Sequence, residues 1–385
     1  MKLLIDCSRL SVGGGVQVGL SVIHNALKDP SLEVCLVCSS QISEQLTDEH
    51  MAAAQCHVVG VDLAREKLRQ SAQIGSIEKA FSPDVVFNVF GPAYWRSHAV
   101  NVQGFALGKM LYPDSRHSYP SRWTRWREEF SDTLKKRLLR RNADYLVVET
   151  EVVKERLAPL LPVVKDRIYV VGNSYSPAFE KRCYELGPRL SKAGEHFNVF
   201  VPASFYQHKN LEIVPAVAST LKQMGRTDVR FTFTLDAATI GWSRIQALGA
   251  SHGVAELLHT VGSVPNQFMA DHYLAAHAVL CPTLVESSTA VFPEAFMARR
   301  PLLVSDRDFA TQLCGSAALY FDPHAPQQIA SLIVQLMNDQ TLYARLVQAG
   351  ESALGKNYPS PADKWAMQLK MLRDVVQRGK PKTRL

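Results

Sequence analysis

The chain has 385 residues, of which 46% are hydrophobic and 21% are charged, and its formal net charge is +7. This length suits two domains of ordinary size rather than one, and the balance of residue types is typical of a soluble globular protein. Runs of about eighteen apolar residues do not occur, which excludes a transmembrane helix from the sequence pattern. The short apolar start is broken at Asp6, which favours a buried first strand over a signal peptide.

Seven cysteines are scattered along the chain without a repeated spacing. Such a count, with no recognisable export signal, predicts a reducing compartment and therefore a cytoplasmic protein. Cys35 and Cys38 form a CxxC pattern, but they lie in a strand-like apolar run and no second CxxC follows. We interpret them as buried strand cysteines, and the sequence predicts no metal site.

The first half of the chain alternates short apolar runs with longer amphipathic ones. Helices are predicted at about 16–27 and through Ile77 and Phe81, and strands are predicted at 3–6, 34–38, 57–61, 84–89, 100–105, 144–149 and 168–171. Strands that alternate with helices indicate parallel βαβ units in a doubly wound sheet.

Most of the surplus charge lies within residues 116–141, where nine basic and three acidic residues give a balance of +6. Apolar residues recur there every three or four positions, as in one stripe of a helix: Trp123, Trp126, Phe130, Leu134 and Leu138. A basic amphipathic helix with tryptophans suits an anionic membrane surface or an anionic acceptor, whereas the same stripe could pack on the sheet. Both interpretations stay open from the sequence. Nucleic acid is disfavoured because no second basic patch or known binding motif accompanies the segment.

The residue composition changes after residue 171. A stretch from there through 191, with mixed charge, prolines and glycines and no clear period, predicts a linker. The alternation then restarts, with strands predicted at 197–202, 229–235, 260–261, Ala278–Cys281, Leu302–Ser305 and 319–321, and helices at 211–224, 254–258, 267–276, 293–298, 329–337, 340–354 and 362–376. We therefore expect an α/β protein with two Rossmann-like domains, 1–178 and 190–361, that face each other across a cleft. The last helix, within 362–385, is expected to pack back on the first domain.

The most specific motif is the run 282–298, which follows a predicted strand and opens a helix. Pro293 suits a first helical position, so the amides of residues 288–292 are expected to point at a ligand, an arrangement that favours a phosphate. Glu286 precedes these amides in the loop, while Glu294 lies in the first turn of the helix. Their positions favour two separate hydroxyl acceptors over a paired acid and base.

These residues resemble a known family. The Glu-x7-Glu spacing of Glu286 and Glu294, with the apolar strand that follows, is similar to the donor-site signature of retaining glycosyltransferases of the GT-B fold, family 4 in particular. The Gly262 loop, the pair Lys209 and Asn210, and the run 171–174 are similar to other parts of that family. The resemblance covers the second domain and, more weakly, the first.

The resemblance implies a donor site for a nucleotide-diphosphate sugar, with no further cofactor. Glu294 would accept hydrogen bonds from the ribose, and Glu286 would contact the transferred sugar. Lys209 would neutralise the diphosphate as a point charge, which makes Lys209 and Glu286 the candidate catalytic residues. The backbone of Val264 would hold the base, and further donor contacts are expected from Asn210, Ser288, Thr289 and Ala290.

Three consecutive glycines, 13–15, follow the first strand and precede a predicted helix. Gly14 and Gly15 allow a ligand to approach the backbone closely. The spacing matches neither a dinucleotide-binding GxGxxG nor a P-loop. In the resembling family such a loop faces the donor diphosphate and the acceptor, whereas the simpler interpretation is a flexible turn.

Two departures from the family pattern concern polar residues. The family has an arginine five or six residues before the lysine, where this chain has Ala203 and Ser204. The histidine expected after the fourth or fifth strand is missing from 103–110, where Lys109 is a candidate replacement. These changes leave part of the phosphate clamp unassigned.

The resemblance implies a retaining, metal-independent glycosyltransferase, expected to act in polysaccharide biosynthesis with a glycan or lipid-linked acceptor. It is expected in the cytoplasm or on the inner face of the cell membrane, which residues 116–141 would contact. A non-catalytic nucleotide-sugar-binding protein and a sugar-nucleotide epimerase remain alternatives, and a dehydrogenase is disfavoured by the missing GxGxxG. The base, the sugar, the acceptor and the oligomeric state are left open.

Overall fold

The computed structural model describes residues 1–11, 13–59, 66–113, 115, 121–161, 165–187 and 196–382. Parts of the predicted strand 57–61, the basic segment 116–141, the linker 172–191 and the C-terminal segment 362–385 lie outside these residues. Among the described residues, no helix is long and apolar enough to cross a membrane.

The chain divides into two units. The first contains Met1–Leu111, the stretch that ends at Val171 and the C-terminal residues from Ala362; the second contains Gly172–Pro361 with a short segment from Tyr112. The first unit has one parallel sheet in the order β3-β2-β1-β4-β5-β6-β7. Its strands are β1 Lys2–Cys7, β2 Glu33–Cys38, β3 Gln55–Val58, β4 Val85–Asn88, β5 Val100–Gly104, β6 Tyr145–Val148 and β7 Ile168–Val170.

Helices connect the strands of the first unit: α1 Gly13–Lys28, α2 Ser40–Ser43, α3 Asp48–Ala52, α4 Glu66–Phe81, α5 Gly108–Leu111, α6 Arg122–Asn142 and α7 Glu151–Leu160. Apolar side chains of α1 pack on β1, β2 and β4 in one buried cluster. Met371, Leu372 and Val375 of the last helix join the same cluster. The sheet of this unit is therefore covered in part by the end of the chain.

The second unit has a parallel sheet in the order β10-β9-β8-β11-β12-β13. Its strands are β8 Phe197–Val201, β9 Val229–Phe233, β10 Leu258–Thr260, β11 Ala278–Cys281, β12 Leu302–Ser305 and β13 Ala318–Phe321. The helices are α8 Pro177–Leu186, α9 Val214–Gln223, α10 Ile240–Ser251, α11 Met269–Ala275, α12 Val291–Met297, α13 Asp308–Cys314, α14 Pro326–Asn338 and α15 Gln340–Asn357, and α16 Pro361–Arg378 follows them.

Helix α8 lies in a segment for which the sequence pattern predicted no element. Ser176 caps it by accepting a hydrogen bond from the backbone N–H of Phe179, and Pro177 occupies its first turn. Phe179 is fully buried and packs edge-on against Tyr273 of α11. The interpretation of this segment as an irregular linker was wrong because one buried aromatic residue, rather than a repeated apolar face, fixes the helix.

The structure of helix α6 decides whether the apolar stripe of residues 116–141 packs on the sheet. Trp123, Trp126, Phe130 and Leu134 are all exposed, so they do not pack on the sheet. The helix is attached near its C-terminal end by Leu139, which is fully buried, and by the side chain of Asn142. The interpretation that the apolar stripe packs inward was therefore wrong.

Candidate functional site

The predicted donor residues lie beyond one edge of the second sheet. Because its strands are all parallel, the loops that follow β8, β11 and β10 leave the sheet at the same carboxyl edge. Ligands bind at this edge in open α/β sheets. The loop after β10 is three strand positions from that after β11, a span of about 14 Å at the usual strand spacing.

The loop after β11 is bonded to a short 3₁₀ turn, Gln207–Lys209, that follows β8. The backbone N–H of Leu284 donates to the carbonyl of His208 at 2.7 Å, and the hydroxyl of Thr283 donates to the same carbonyl at 3.1 Å. These two bonds join segments that are far apart in sequence. They hold the loop that carries Glu286, two residues after Leu284, beside Lys209.

Lys209 and Glu286 form an ion pair, in which the Lys209 Nζ donates to Glu286 Oε1. Their side chains are only 19% and 9% exposed. Burial alone would lower the pKa of Lys209, but the charge of Glu286 and the other groups nearby outweigh it, so the pKa is raised. The lysine is therefore a fixed positive charge with restricted access to water, which suits a phosphate oxygen.

Asn210 ends the 3₁₀ turn in the left-handed conformation, with φ of 55°. Its side-chain amide donates to the carbonyl of Pro323 at 2.7 Å. The observed contacts shape the turn that carries Lys209, and a ligand contact from Asn210 stays a prediction.

Helix α12 begins at Val291, two residues earlier than predicted, so Pro293 is its third residue. The expectation that Pro293 opens the helix was wrong. Before the helix, Thr289 accepts a hydrogen bond from the N–H of Val291 at 3.3 Å. The Ser288 hydroxyl is buried and has no hydrogen-bond partner among the described residues. A buried hydroxyl of this kind can serve a bound ligand, and Ala290 follows it at the start of the helix.

Glu294 lies in α12 and is 7% exposed. Burial raises its pKa to about 7, an effect that the nearby Tyr273 hydroxyl of α11 partly offsets. A carboxyl with this pKa changes charge near neutral pH, so its ability to accept hydrogen bonds from hydroxyls depends on pH. It is separated in sequence from the Lys209–Glu286 pair by the Ser288–Ala290 loop.

Gly262 and Val264 lie in the loop after β10. Gly262 has φ of 76°, a conformation that side chains rarely adopt, and no atom lies within 4 Å of the position a Cβ would take. The backbone therefore requires glycine for its conformation and leaves open space beside it. Val264 is half-buried two residues later.

Gly14 and Gly15 belong to the first unit. Helix α1 begins at Gly13, so these glycines form the first turn of the helix, and the expected loop before the helix was wrong in this detail. No atom lies within 4 Å of a Cβ built on Gly14, whereas one on Gly15 would touch Leu10 and Phe90 at ordinary distances. Ligand binding by either glycine stays a prediction.

The structure shows where the residues that depart from the family pattern lie. Ala203 occupies the loop after β8, where its backbone N–H is bonded to the hydroxyl of Thr234 at 3.1 Å, and the exposed Ser204 follows it. Lys109 lies in the short helix α5 after β5. Among the described residues, no group of three or more His, Cys, Asp or Glu side chains is arranged to hold a metal.

Two aromatic residues next to the site had no assigned role in the sequence-based prediction. Tyr273 lies beside Glu294, and Tyr206 stacks on His208 with ring centroids 5.7 Å apart. Tyr206 immediately precedes the turn that carries Lys209, so its position was readable from the sequence. The approach of Tyr273 to Glu294 depends on the packing of α11 against α12 and had no local signal.

Comparison with known proteins gives a family model that matches part of the second unit, and it gives the fold of the chain. Residues 196–339 match the family model described as glycosyl transferases group 1. A glycosyltransferase structure from Rickettsia africae has a TM-score of 0.72 at 13% identity, with 98% of each chain covered. Anabaena HepE in complex with UDP and glucose has a TM-score of 0.72 at 15% identity, covering 97% of this chain and 100% of that chain. For WaaG, a glycosyltransferase involved in lipopolysaccharide biosynthesis, the values are 0.70 and 12%, covering 97% and 99%.

The chain has the GT-B fold of glycosyltransferases. This confirms the predicted class of two Rossmann-like domains. The second unit carries the group 1 glycosyltransferase sequence pattern, which spans every predicted donor residue from Lys209 to Glu294. No curated protein sequence matches the chain.

Proposed function

We propose that the protein is a retaining glycosyltransferase of family 4 that transfers a sugar from a nucleotide-diphosphate sugar to a glycan or lipid-linked acceptor. The observation that carries the proposal is the buried Lys209–Glu286 pair at the carboxyl edge of the sheet, within the segment that matches group 1 glycosyltransferases. Glu294, in the helix that follows, supplies a second buried carboxyl.

Each residue has a separate role in this proposal. Lys209 stabilises the negative charge that grows on the diphosphate as the bond from the sugar to phosphate breaks. Glu286 accepts a hydrogen bond from a hydroxyl of the transferred sugar, and Glu294 accepts hydrogen bonds from the ribose. The Ser288 hydroxyl, buried without a partner among the described residues, donates to the diphosphate.

The departing diphosphate determines what the site must do. A fixed positive charge with little access to water interacts more strongly with phosphate oxygens than a solvated one does. We therefore propose that transfer proceeds without a divalent cation. We also propose that the acceptor attacks the sugar from the face that the diphosphate leaves, so that the anomeric configuration is retained. The resemblance to family 4 supports both features.

The donor proposed for testing is a UDP-sugar, because HepE was crystallised with UDP-glucose as well as with UDP. The acceptor is proposed to be a glycan or a lipid-linked glycan of polysaccharide biosynthesis, at the cytoplasmic side of the membrane. Gly14 and Gly15 of the first unit are proposed to allow the close approach of donor or acceptor to the backbone.

The experiment measures release of nucleoside diphosphate from a panel of nucleotide-sugars, with lipid-linked and free glycan acceptors, in the presence of EDTA. We expect release with at least one donor, and loss of release in Lys209→Met and Glu294→Gln. Lys222→Met is the matched control, because Lys222 forms an exposed ion pair with Glu256 in the same unit. Donor binding without release in any combination would indicate a non-catalytic binding protein instead. If Lys222→Met lost nucleoside diphosphate release to the same extent as Lys209→Met, the role proposed for Lys209 would be wrong.

A further inference from the structure

Helix α6 presents its apolar stripe to solvent. The side chains of Trp123, Trp126, Phe130 and Leu134 are 65%, 62%, 63% and 46% exposed. A helix in an α/β domain ordinarily buries its apolar face against the sheet. Here the buried positions of the helix are instead Asp132, Leu139 and Asn142. Large apolar side chains displayed together in this way mark an interaction surface.

The charges of α6 are divided between its two sides. Five arginines are exposed with the apolar stripe, together with one acidic residue, Glu129. The exposed arginines are Arg122, Arg127, Arg137, Arg140 and Arg141. Of the other acidic residues, Asp132 is buried and paired with Lys135 at 3.3 Å, and Glu128 is half-buried. The outward face is therefore strongly positive as well as apolar.

The exposed rings are arranged as one surface. Trp126 and Phe130 stack with ring centroids 6.1 Å apart, and the guanidinium of Arg127 lies 5.5 Å from the centre of the Trp123 ring. The helix has 21 residues, which corresponds to a length of about 31 Å. Tryptophan, phenylalanine and arginine on one helix face are the residues that settle at the boundary between lipid headgroups and acyl chains.

We propose that this face of α6 docks on an anionic lipid bilayer, with the rings inserted at the headgroup level and the arginines bound to lipid phosphates. Charge selects this occupant over a second copy of the chain, since two such faces would bring their arginines together. The docking does not depend on sugar transfer. Where the proposed transfer also holds, docking places the protein at the surface that carries lipid-linked acceptors.

Co-sedimentation with vesicles tests the docking on the full chain. The vesicles are made of phosphatidylcholine alone or of an equal mixture of phosphatidylcholine and phosphatidylglycerol. We expect binding to the anionic vesicles only, reduced by high salt because the arginines are exposed. Replacing a tryptophan by alanine is expected to weaken binding by about tenfold, from the apolar surface that no longer leaves water. Arg137→Glu with Arg141→Glu is expected to weaken it by at least about tenfold.

Matched controls separate the face from general surface effects. Tyr184→Ala removes a ring that is 79% exposed in the second unit, and Arg345→Glu reverses an exposed arginine there. Both controls are expected to bind vesicles like the unchanged protein. Equal binding to neutral and anionic vesicles, or unchanged binding after Trp123→Ala with Trp126→Ala, would overturn the proposal. So would a dimer in solution that these same substitutions dissociate.

The outcomes also separate this proposal from the proposed transfer. Nucleoside diphosphate release is measured without vesicles, with free glycan acceptors and with lipid-linked acceptors dissolved in detergent. If the unchanged protein releases nucleoside diphosphate but does not bind anionic vesicles, only the docking proposal is overturned. Intact vesicle binding without release from any donor would overturn the transfer alone.

Discussion

Substituting Glu294 by glutamine separates stability from function at the proposed donor site. Glu294 is buried in α12, and its pKa is raised to about 7 from an ordinary value of 4.5 because burial penalises the charged form. The folded protein therefore binds a proton at this position more tightly than the unfolded chain does. As pH rises from about 4.5 to about 7, the folded state loses stability, since the unfolded chain releases the proton first.

The size of this loss follows from the two pKa values. The change from 4.5 to about 7 corresponds to roughly 3 kcal/mol of unfolding free energy above neutral pH. Glutamine keeps the shape of the side chain and carries no charge at any pH. We expect Glu294→Gln to be more stable than the unchanged protein by roughly 3 kcal/mol at about pH 8, with a difference that shrinks towards about pH 4.5.

The assay is urea denaturation of the nucleotide-free protein at several pH values between these limits. Glu351→Gln is the matched control, because Glu351 is an exposed helical glutamate paired with Arg299 in the same unit. The control is expected to show no comparable gain at alkaline pH. A stability difference for Glu294→Gln that stays constant with pH, or that has the opposite sign, would refute the reasoning.

Donor binding should show the opposite dependence on Glu294, since the charged carboxylate is the strongest acceptor for the two proposed ribose hydrogen bonds. In the unchanged protein, UDP affinity is expected to fall about tenfold for each pH unit below about 7, and in Glu294→Gln it should be weak and flat with pH, as measured by calorimetry. Lys209→Met leaves the Glu286 carboxylate buried without its partner and should lower the free energy of unfolding by about 3–5 kcal/mol. Adding Glu286→Gln should restore most of this loss. A double variant no more stable than Lys209→Met would contradict this. Gly262→Ala should destabilise the protein by roughly 1–2 kcal/mol in thermal unfolding, because alanine is strained at a φ of 76°, whereas its methyl group would have enough space. An unchanged melting temperature would show that alanine is not strained there. Cys56 should be alkylated first among the seven cysteines, with a rate that follows a pKa of about 7, because the Cys38 thiol donates a hydrogen bond to its thiolate; Cys38→Ala should slow the reaction, as peptide mass spectrometry can show.

The strands were the most predictable part of the fold. The predicted bounds of β11, Ala278–Cys281, and β12, Leu302–Ser305, agree with the structure residue for residue. Both are short runs in which every residue is buried and apolar residues predominate, and a proline or an aspartate follows each, which is the pattern of strands buried on both faces. Such runs need no knowledge of their neighbours to be recognised.

Helices with small residues at their contacts were missed. Helix α10 has glycines at 241 and 249, which a pattern-based prediction treats as breaks. In the structure, a Cβ at Gly241 would lie 2.5 Å from Phe205, and one at Gly249 would lie 2.7 Å from Leu258. These glycines allow close packing inside a helix, which is a tertiary property that local periodicity does not contain.

The sequence suggested the residues of the candidate site but not the contacts between them. The spacing of Glu286 and Glu294 identified both carboxyls, whereas the pairing of Glu286 with Lys209 joins positions 77 residues apart. The raised pKa of Glu294 depends on burial, which no spacing encodes. For α6, the periodicity predicted the stripe, but only the exposure of its side chains and the burial of Leu139 in the structure show that the stripe points outward.

A crystal structure of the protein with bound UDP tests the central claim most directly. The account predicts the diphosphate at Lys209 and the Ser288 hydroxyl, with both ribose hydroxyls bonded to the Glu294 carboxylate and the base against the backbone at Val264. A nucleotide bound elsewhere, or one bound at this edge of the sheet with Lys209 still paired only to Glu286 and Glu294 free of the ribose, would contradict it.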